Sequence, residues 1–388
     1  DAARYGVYKQ VRGAHGLALS QLDKTLLATR TAQNGQPFAF HYGMPEIDAL
    51  YAQGQVAALL NTGNLREPLN KEQYLAGLGV PSQLYSHPDQ ILQNQAGTPA
   101  AAGTGWGGRL LDVLGSGSAL DAVAVGAGGL FVEGAATHGN LLPENGELNL
   151  AGMNFWPQTE ADARRAALLK ILDAQRPNAL AQAANAALRN GMNLADELRT
   201  ATSGAPLATV FPGYTLARQL RTVAQLIRMR ASQGPGRQVF FVSMGGFDTH
   251  GGQQYQQWEN LSRLSQSIAA FQAALNEIGA LQQVTSVTMS DFGRSFEPNS
   301  GGTDHGWGSH HLVIGGAVRG GVYGQFPDLA LGGPDDATGR GVWIPKLANQ
   351  QVGATLGRWF GVPAAELDAR VFGGELAAFG ASDLGFMG

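Results

Sequence analysis

Two short apolar runs in this chain each stop at a carboxylate, and they constrain its fold more than any other feature. Residues 239–250 read VFFVSMGGFDTH and residues 284–294 read VTSVTMSDFGR. Between them, Trp258, Leu261, Leu264, Ile268, Phe271 and Leu275 recur at helical spacing along 255–278. Strands without polar alternation, joined through a helix, predict neighbouring parallel strands covered on both faces. In an open α/β sheet, ligands collect outside the carboxyl ends of the strands. This order therefore sends Asp248 and Asp291 to such an edge, with His250 two residues beyond Asp248 and the cluster Thr303-Asp304-His305-Gly306 close behind.

The same reading places helices at 17–31, 45–53, 71–78, 86–95, 107–114, 159–200, 214–231 and 348–360. It places strands at 55–61, 238–244, 284–290, 311–316 and near 320–325, with a weak strand signal in 119–133. In the 214–231 helix, Leu216, Leu220, Val223 and Ile227 form the apolar stripe, and Arg218, Arg221 and Arg228 lie off it. Residues 96–106 and 134–158 read as loops. The expectation is one α/β domain over 1–388, with a mainly parallel, mixed central sheet sandwiched by helices and a mostly helical or loop insertion at about 134–210.

Charged residues make up only 14% of the 388 residues and the net charge is −4, so no basic field marks a nucleic-acid binder. The chain has no cysteine, which excludes disulfides, zinc–thiolate sites and cysteine nucleophiles. A cysteine-free chain fits a secreted or periplasmic protein, although cytosolic chains also lack cysteine. No apolar run is long enough to predict a transmembrane helix.

Four of the eight histidines lie between 250 and 311. Asp248, His250, Asp291, Asp304 and His305 together form a ligand set of carboxylates and imidazoles. That donor mixture suits zinc, manganese or iron, zinc or manganese first; an all-oxygen set would point to calcium or magnesium. Singly, each Asp after a strand also reads as a helix cap. Arg294 can hold a phosphate or sulfate through two parallel hydrogen bonds, or pair with a carboxylate such as Asp291 or Glu297. Ser86, just before His87 and Pro88, sits where a helix begins. It reads either as an N-cap or as a nucleophile beside free amide groups. His310 and His311 read as the start of a strand, and Trp307 as a residue at the pocket mouth.

The segments GGFDTH, SDFGR and GGTDHGWGSHHLVIGGAVRGGVYG, together with GWGGRLLD at 105–112, FPGYTLARQL at 211–220 and the closing DLGFM, resemble the bacterial secreted family called domain of unknown function 1501. That family is grouped with the alkaline phosphatase and sulfatase superfamily. The resemblance implies an alkaline-phosphatase-like fold with a divalent metal at the sheet edge. In it Asp248, His250, Asp291 and His305 match metal ligands, with Phe292 where many members carry a histidine. Ser86-His87 falls where the family has a Ser-His pair. The resemblance also implies export by a twin-arginine signal and an upstream strand, ending in a glycine-rich segment with an Asp, ahead of DAARYGVY. The function expected is a periplasmic or extracellular metal-dependent hydrolase of phosphate or sulfate esters, acting on a small anionic substrate through Ser86, His87 and Arg294. The alternative is a non-catalytic secreted structural or interaction protein that keeps the fold.

Overall fold

A computed structural model describes residues 2–25, 37–98, 103–115, 118–146, 148, 152–174, 178–202, 206–231 and 236–388. Among these residues there are eight strands, β1 (Val56–Gly63), β2 (Ala122–Val125), β3 (Asn140–Leu142), β4 (Val239–Val242), β5 (Thr285–Val287), β6 (Ser309–Gly315), β7 (Gly321–Gly324) and β8 (Leu347–Ala348). The longer helices are α1 (Ala2–Arg12), α2 (Pro45–Ala52), α3 (His87–Ala96), α4 (Trp106–Leu114), α5 (Gln158–Asp173), α6 (Ala179–Thr202), α7 (Thr215–Ala231), α8 (Gln253–Glu277) and α9 (Asn349–Phe360).

The architecture is mixed α/β. β1 is buried along its whole length. Its side chains alternate between two cores, as period-2 geometry requires. Val56, Ala58 and Leu60 enter one core with Leu220 and Val223 of α7 and Ile268 and Phe271 of α8. Ala57 and Leu59 enter the other with Leu110 of α4 and Val352 and Leu356 of α9. β2 divides in the same way, Val123 and Val125 to the first core and Ala122 and Ala124 to the second. The strands therefore form a middle layer between two helical layers.

That middle layer is two sheets, not one. One runs β5-β6-β1-β7, with β8 also pairing β1; the other runs β3-β2-β4. β6 is antiparallel to both β5 and β1, while β7 and β8 are parallel to β1. The three-stranded sheet is wholly parallel. The expectation that β4 and β5 are neighbours is corrected: β4 pairs with β2 and β5 with β6. The apolar character of both runs comes from burial by helices on the two faces, which says nothing about which edge pairs with which.

Most helices fall where periodicity places them, α5 and α6 within the predicted insertion. The 17–31 expectation resolves into short turns at Leu19–Leu22 and Asp23–Thr25, and its remainder lies outside the described residues. Trp307 is not at the pocket mouth. It is buried and donates its indole N–H to the Asn64 carbonyl at 3.0 Å.

Candidate metal centre

The site forms where three loops meet at the carboxyl ends of β4 and β5. The first is the segment leading into α3. Gln83 and Tyr85 adopt positive φ there (53° and 73°), a conformation that costs side-chain-bearing residues energy unless their surroundings enforce it. Ser86 then occupies the N-cap position and His87 opens the helix ahead of Pro88. The second loop carries Asp248 and His250 beyond β4. The third pairs 293–295 with 304–307: Gly306 N–H donates to Gly293 O at 2.7 Å, Gly293 N–H to Trp307 O at 2.9 Å, and Ser295 N–H to Asp304 O at 3.0 Å. A Cβ on Gly293 would stand 2.1 Å from the Gly308 carbonyl oxygen, so glycine is required for the two backbones to approach. This pairing sets Arg294 opposite His305.

Asp248 is the hub. Its Oδ2 lies 3.3 Å from His87 Nε2, and its Oδ1 lies 3.2 Å from His305 Nε2 and 2.9 Å from His250 Nε2. His250 Nε2 is in turn 3.3 Å from His305 Nε2. His87, Asp248 and His305 each offer a ligand atom, and these atoms lie within 4.8 Å of one another. Tetrahedral zinc with bonds of about 2.1 Å sets its ligand atoms roughly 3.4 Å apart, so the spacing fits such an ion. His250 lies beside this group, its Nε2 2.9 Å from Asp248 Oδ1, but is not one of the three whose ligand atoms all fall within 4.8 Å.

The imidazoles are also held from behind. His305 Nδ1 lies 2.8 Å from the Tyr85 carbonyl, which only an N–H can satisfy, so Nε2 is the nitrogen that a metal would take. His87 Nδ1 contacts the Asp291 carboxylate, which orients the ring in the same sense. A ligating histidine whose other nitrogen donates to a carboxylate or carbonyl is the usual outer support of a metal site. Burial alone lowers the His87 pKa, but pairing with Asp291 and Asp248 outweighs it and the net shift is upward. For Asp248, burial raises the pKa, yet Arg294 and the nearby imidazoles outweigh that and hold the carboxyl below its usual range.

The expected residues therefore meet, in changed positions. Asp291 stands behind His87 rather than beside Asp248. Asp304 stands behind His250: its Oδ1 is 3.6 Å from His250 Nδ1 and takes a 3.0 Å hydrogen bond from Asn299, while its Oδ2 pairs with Arg340 at 2.7 Å. His87, expected as a catalytic partner of Ser86, is among the three clustered donors. The Ser86 hydroxyl donates to Asp89. Arg294 reaches neither Asp291 nor Glu297 in an ion pair; its guanidinium contacts Asp248 and the Thr303 carbonyl, and Glu297 pairs with Arg340. The supporting roles of the Tyr85 carbonyl, Thr303, Asn299 and Arg340 went unread. A backbone carbonyl leaves no sequence signal, and Arg340 lies far along the chain.

A family model described as "Protein of unknown function (DUF1501)" matches residues 3–339. The chain belongs to the DUF1501 family. No curated protein matches it. The DUF1501 match takes in every residue of the site from Ser86 to His305, but the description assigns none of them a role. No helix among the described residues is long and apolar enough to cross a membrane.

Proposed function

We propose that this DUF1501 protein is a metal-dependent hydrolase of phosphate or sulfate esters, of the alkaline phosphatase and sulfatase kind, working in the periplasm or outside the cell. The observation that carries the proposal is the convergence of His87 Nε2 and His305 Nε2 on one carboxylate, each ring anchored through Nδ1. Two imidazoles and a carboxylate favour zinc or manganese over magnesium or calcium. Such an ion, when bound, polarises an ester oxygen as a Lewis acid. The chain's own part is to hold the donors and to supply a nucleophile or a positioned water. Ser86 is the side-chain nucleophile in reach of the α3 N-terminus, and its hydroxyl already points its proton at the Asp89 carboxylate, which can accept it as Ser86 attacks. The N-terminus of α3 favours an anion there. The cysteine-free composition supports the exported location.

One observation favours the alternative, a non-catalytic exported interaction protein. Arg294 is engaged with Asp248, so the carboxylate already has a cation and the guanidinium is not free for an anion. Elemental analysis of the purified protein, together with a panel of phosphate and sulfate monoesters and diesters, separates the two. Stoichiometric zinc or manganese and turnover abolished by Ser86→Ala supports the hydrolase. Neither metal nor turnover leaves the interaction protein. Recovery of the native protein in the cytosolic fraction contradicts the proposed location.

A further inference from the structure

The loop that leads into α3 holds Gln83 and Tyr85 in left-handed backbone, with φ of 53° and 73°. Such a conformation persists only where surrounding contacts impose it. It serves the site in two ways. The Tyr85 carbonyl is aimed at His305 Nδ1, 2.8 Å away, and Ser86 becomes the N-cap from which His87 starts α3. Amide side chains buried beneath the loop impose it. Gln90 Nε2 donates to the Ser82 and Gln83 carbonyls at 3.3 and 3.2 Å, and Gln93 Nε2 donates to the Ser82 carbonyl at 2.8 Å. Both glutamines are buried. The amides continue away from the loop. Gln90 Oε1 accepts from Asn64 Nδ2 at 2.9 Å, and Asn64 Oδ1 accepts from Asn349 Nδ2 at 2.8 Å. The direction of this relay is fixed at the loop end. Main-chain carbonyls only accept, so Gln90 turns its NH2 to Ser82 and Gln83 and its oxygen to Asn64. Asn64 then turns its NH2 to Gln90 and its oxygen to Asn349. Asn64 directly follows β1, which is buried along its whole length, and Asn349 opens α9. The loop is thereby tied to a fixed strand and a fixed helix.

We infer that Asn64, acting through Gln90 and Trp307, is the positioning residue that sets His87 and His305 against one another. It has an arm to each. Its side chain reaches through Gln90 to the loop that carries Tyr85 and delivers His87. Its backbone carbonyl accepts the Trp307 indole N–H at 3.0 Å, and Trp307 stands two residues beyond His305. The two imidazoles that meet at Asp248 are thus both referred to one buried residue at the end of β1. Removing the Asn64 side chain leaves Gln90 Oε1 and the Asn349 amide without this partner in a dry place, which is costly. The cheapest relief is a rotation of Gln90. That rotation takes its NH2 off the Ser82 and Gln83 carbonyls, and the loop can then leave positive φ. The Tyr85 carbonyl no longer fixes the His305 ring, and the start of α3 no longer fixes His87. The inference rests on reading His87 and His305 as metal donors, but not on turnover.

The His305 Nδ1 proton reads this arrangement without metal or substrate. Bonded to the Tyr85 carbonyl, it should give a downfield imidazole N–H signal that exchanges slowly with water, identified in isotope-labelled protein by its loss in His305→Gln. Asn64→Ala and the volume-conserving Gln90→Met are compared with Gln272→Met, which removes a buried amide whose Nε2 and Oε1 have no hydrogen-bond partner. In metal-free protein, exchange of the His305 proton is expected to quicken by about tenfold or more in Asn64→Ala and Gln90→Met and to stay unchanged in Gln272→Met, while the amides of 57–60 in β1 keep their protection. Zinc affinity should fall by about tenfold in the same two variants, and the double variant should be no weaker than the weaker single one, because both changes cut one relay. An unchanged His305 proton in Gln90→Met overturns the inference, as does its absence from the unaltered protein. Loosening of 57–60 in step with the His305 proton shows a general packing role and overturns it too, and so does a double variant whose loss is the product of the single losses. Should Asn64→Ala fail to fold, Gln90→Met carries the test. If the unaltered protein binds no zinc, the metal reading fails, and the imidazole proton still decides whether Asn64 sets His305.

Discussion

Replacing Asp291 tests the arrangement of the site directly, because the sequence and the structure give this residue different work. In the structure Asp291 meets His87 Nδ1, takes a hydrogen bond from the Ser290 hydroxyl at 3.2 Å, and has no ion pair with His250 or His305. Its effect on a metal therefore passes through His87, by fixing the ring and raising the basicity of Nε2. Losing such an outer partner typically costs 10–100-fold in metal affinity, or about 1.4–2.7 kcal/mol. Asp291→Ala is expected to weaken zinc binding by that much, read by competition against a chelator of known affinity. Asp291→Asn keeps an acceptor for Nδ1 without its charge and should fall near the lower end. Asp248→Ala removes the carboxylate that His87, His250 and His305 share and should abolish stoichiometric binding. Circular dichroism on each variant confirms that the fold is kept. If Asp291→Ala is as severe as Asp248→Ala, Asp291 is itself a ligand and the placement behind His87 is wrong. If it changes nothing, His87 is not a donor.

Other consequences follow from single contacts. Gly293→Ala places a Cβ against the Gly308 carbonyl and should destabilise the protein by about 3 kcal/mol in urea titration while also loosening metal binding, since the same pairing sets His305. Arg294→Gln removes the cation that competes for Asp248 and should tighten zinc binding several-fold in the same competition assay; weaker binding would mean that Arg294 supports the site rather than opposing the ion. Burial lowers the His311 pKa to about 4. Between pH 6.5 and 4 the unfolded chain takes up a proton there that the folded chain refuses, so stability is full above 6.5 and falls as the pH drops through that window. At about 1.36 kcal/mol per pH unit the loss reaches about 3 kcal/mol, and His311→Gln should make the profile of unfolding free energy against pH shallower, leaving the part that His310, also lowered to about 4 by burial, contributes.

What the sequence made legible is what periodicity and chain order encode. α7 and α8 follow from stripes at helical spacing, and β4 and β5 from apolar runs that end at carboxylates. The convergence of Asp248, His250, Asp291 and His305 follows from the rule that strand ends gather ligands. The pairing of β4 and β5 was not legible, because a strand buried on both faces looks the same whichever neighbour it has. Nor were the ranks within the site. Asp248 and Asp291 each follow an apolar run, yet one collects three imidazoles and the other orients one of them. The difference lies in where α3 brings His87, and that depends on positive φ at Gln83 and Tyr85, which neither residue type announces.

The gap between the sheets and the crowding at Asp248 bear on one another. Asp248 and His250 stand on a loop whose strand, among the described residues, is paired on one side only, and Asp291 and Arg294 on another. Ligand atoms must be held to within a fraction of an ångström for a metal to be bound tightly, and supports built on fixed elements do this better than loops. The Arg294–Asp248 ion pair bridges the two sheets at the site and neutralises the carboxylate without an ion. On this argument metal and guanidinium are rivals for one carboxylate. The choice between hydrolase and inert relative then turns on which of the two Asp248 holds as well as on the identity of the donors.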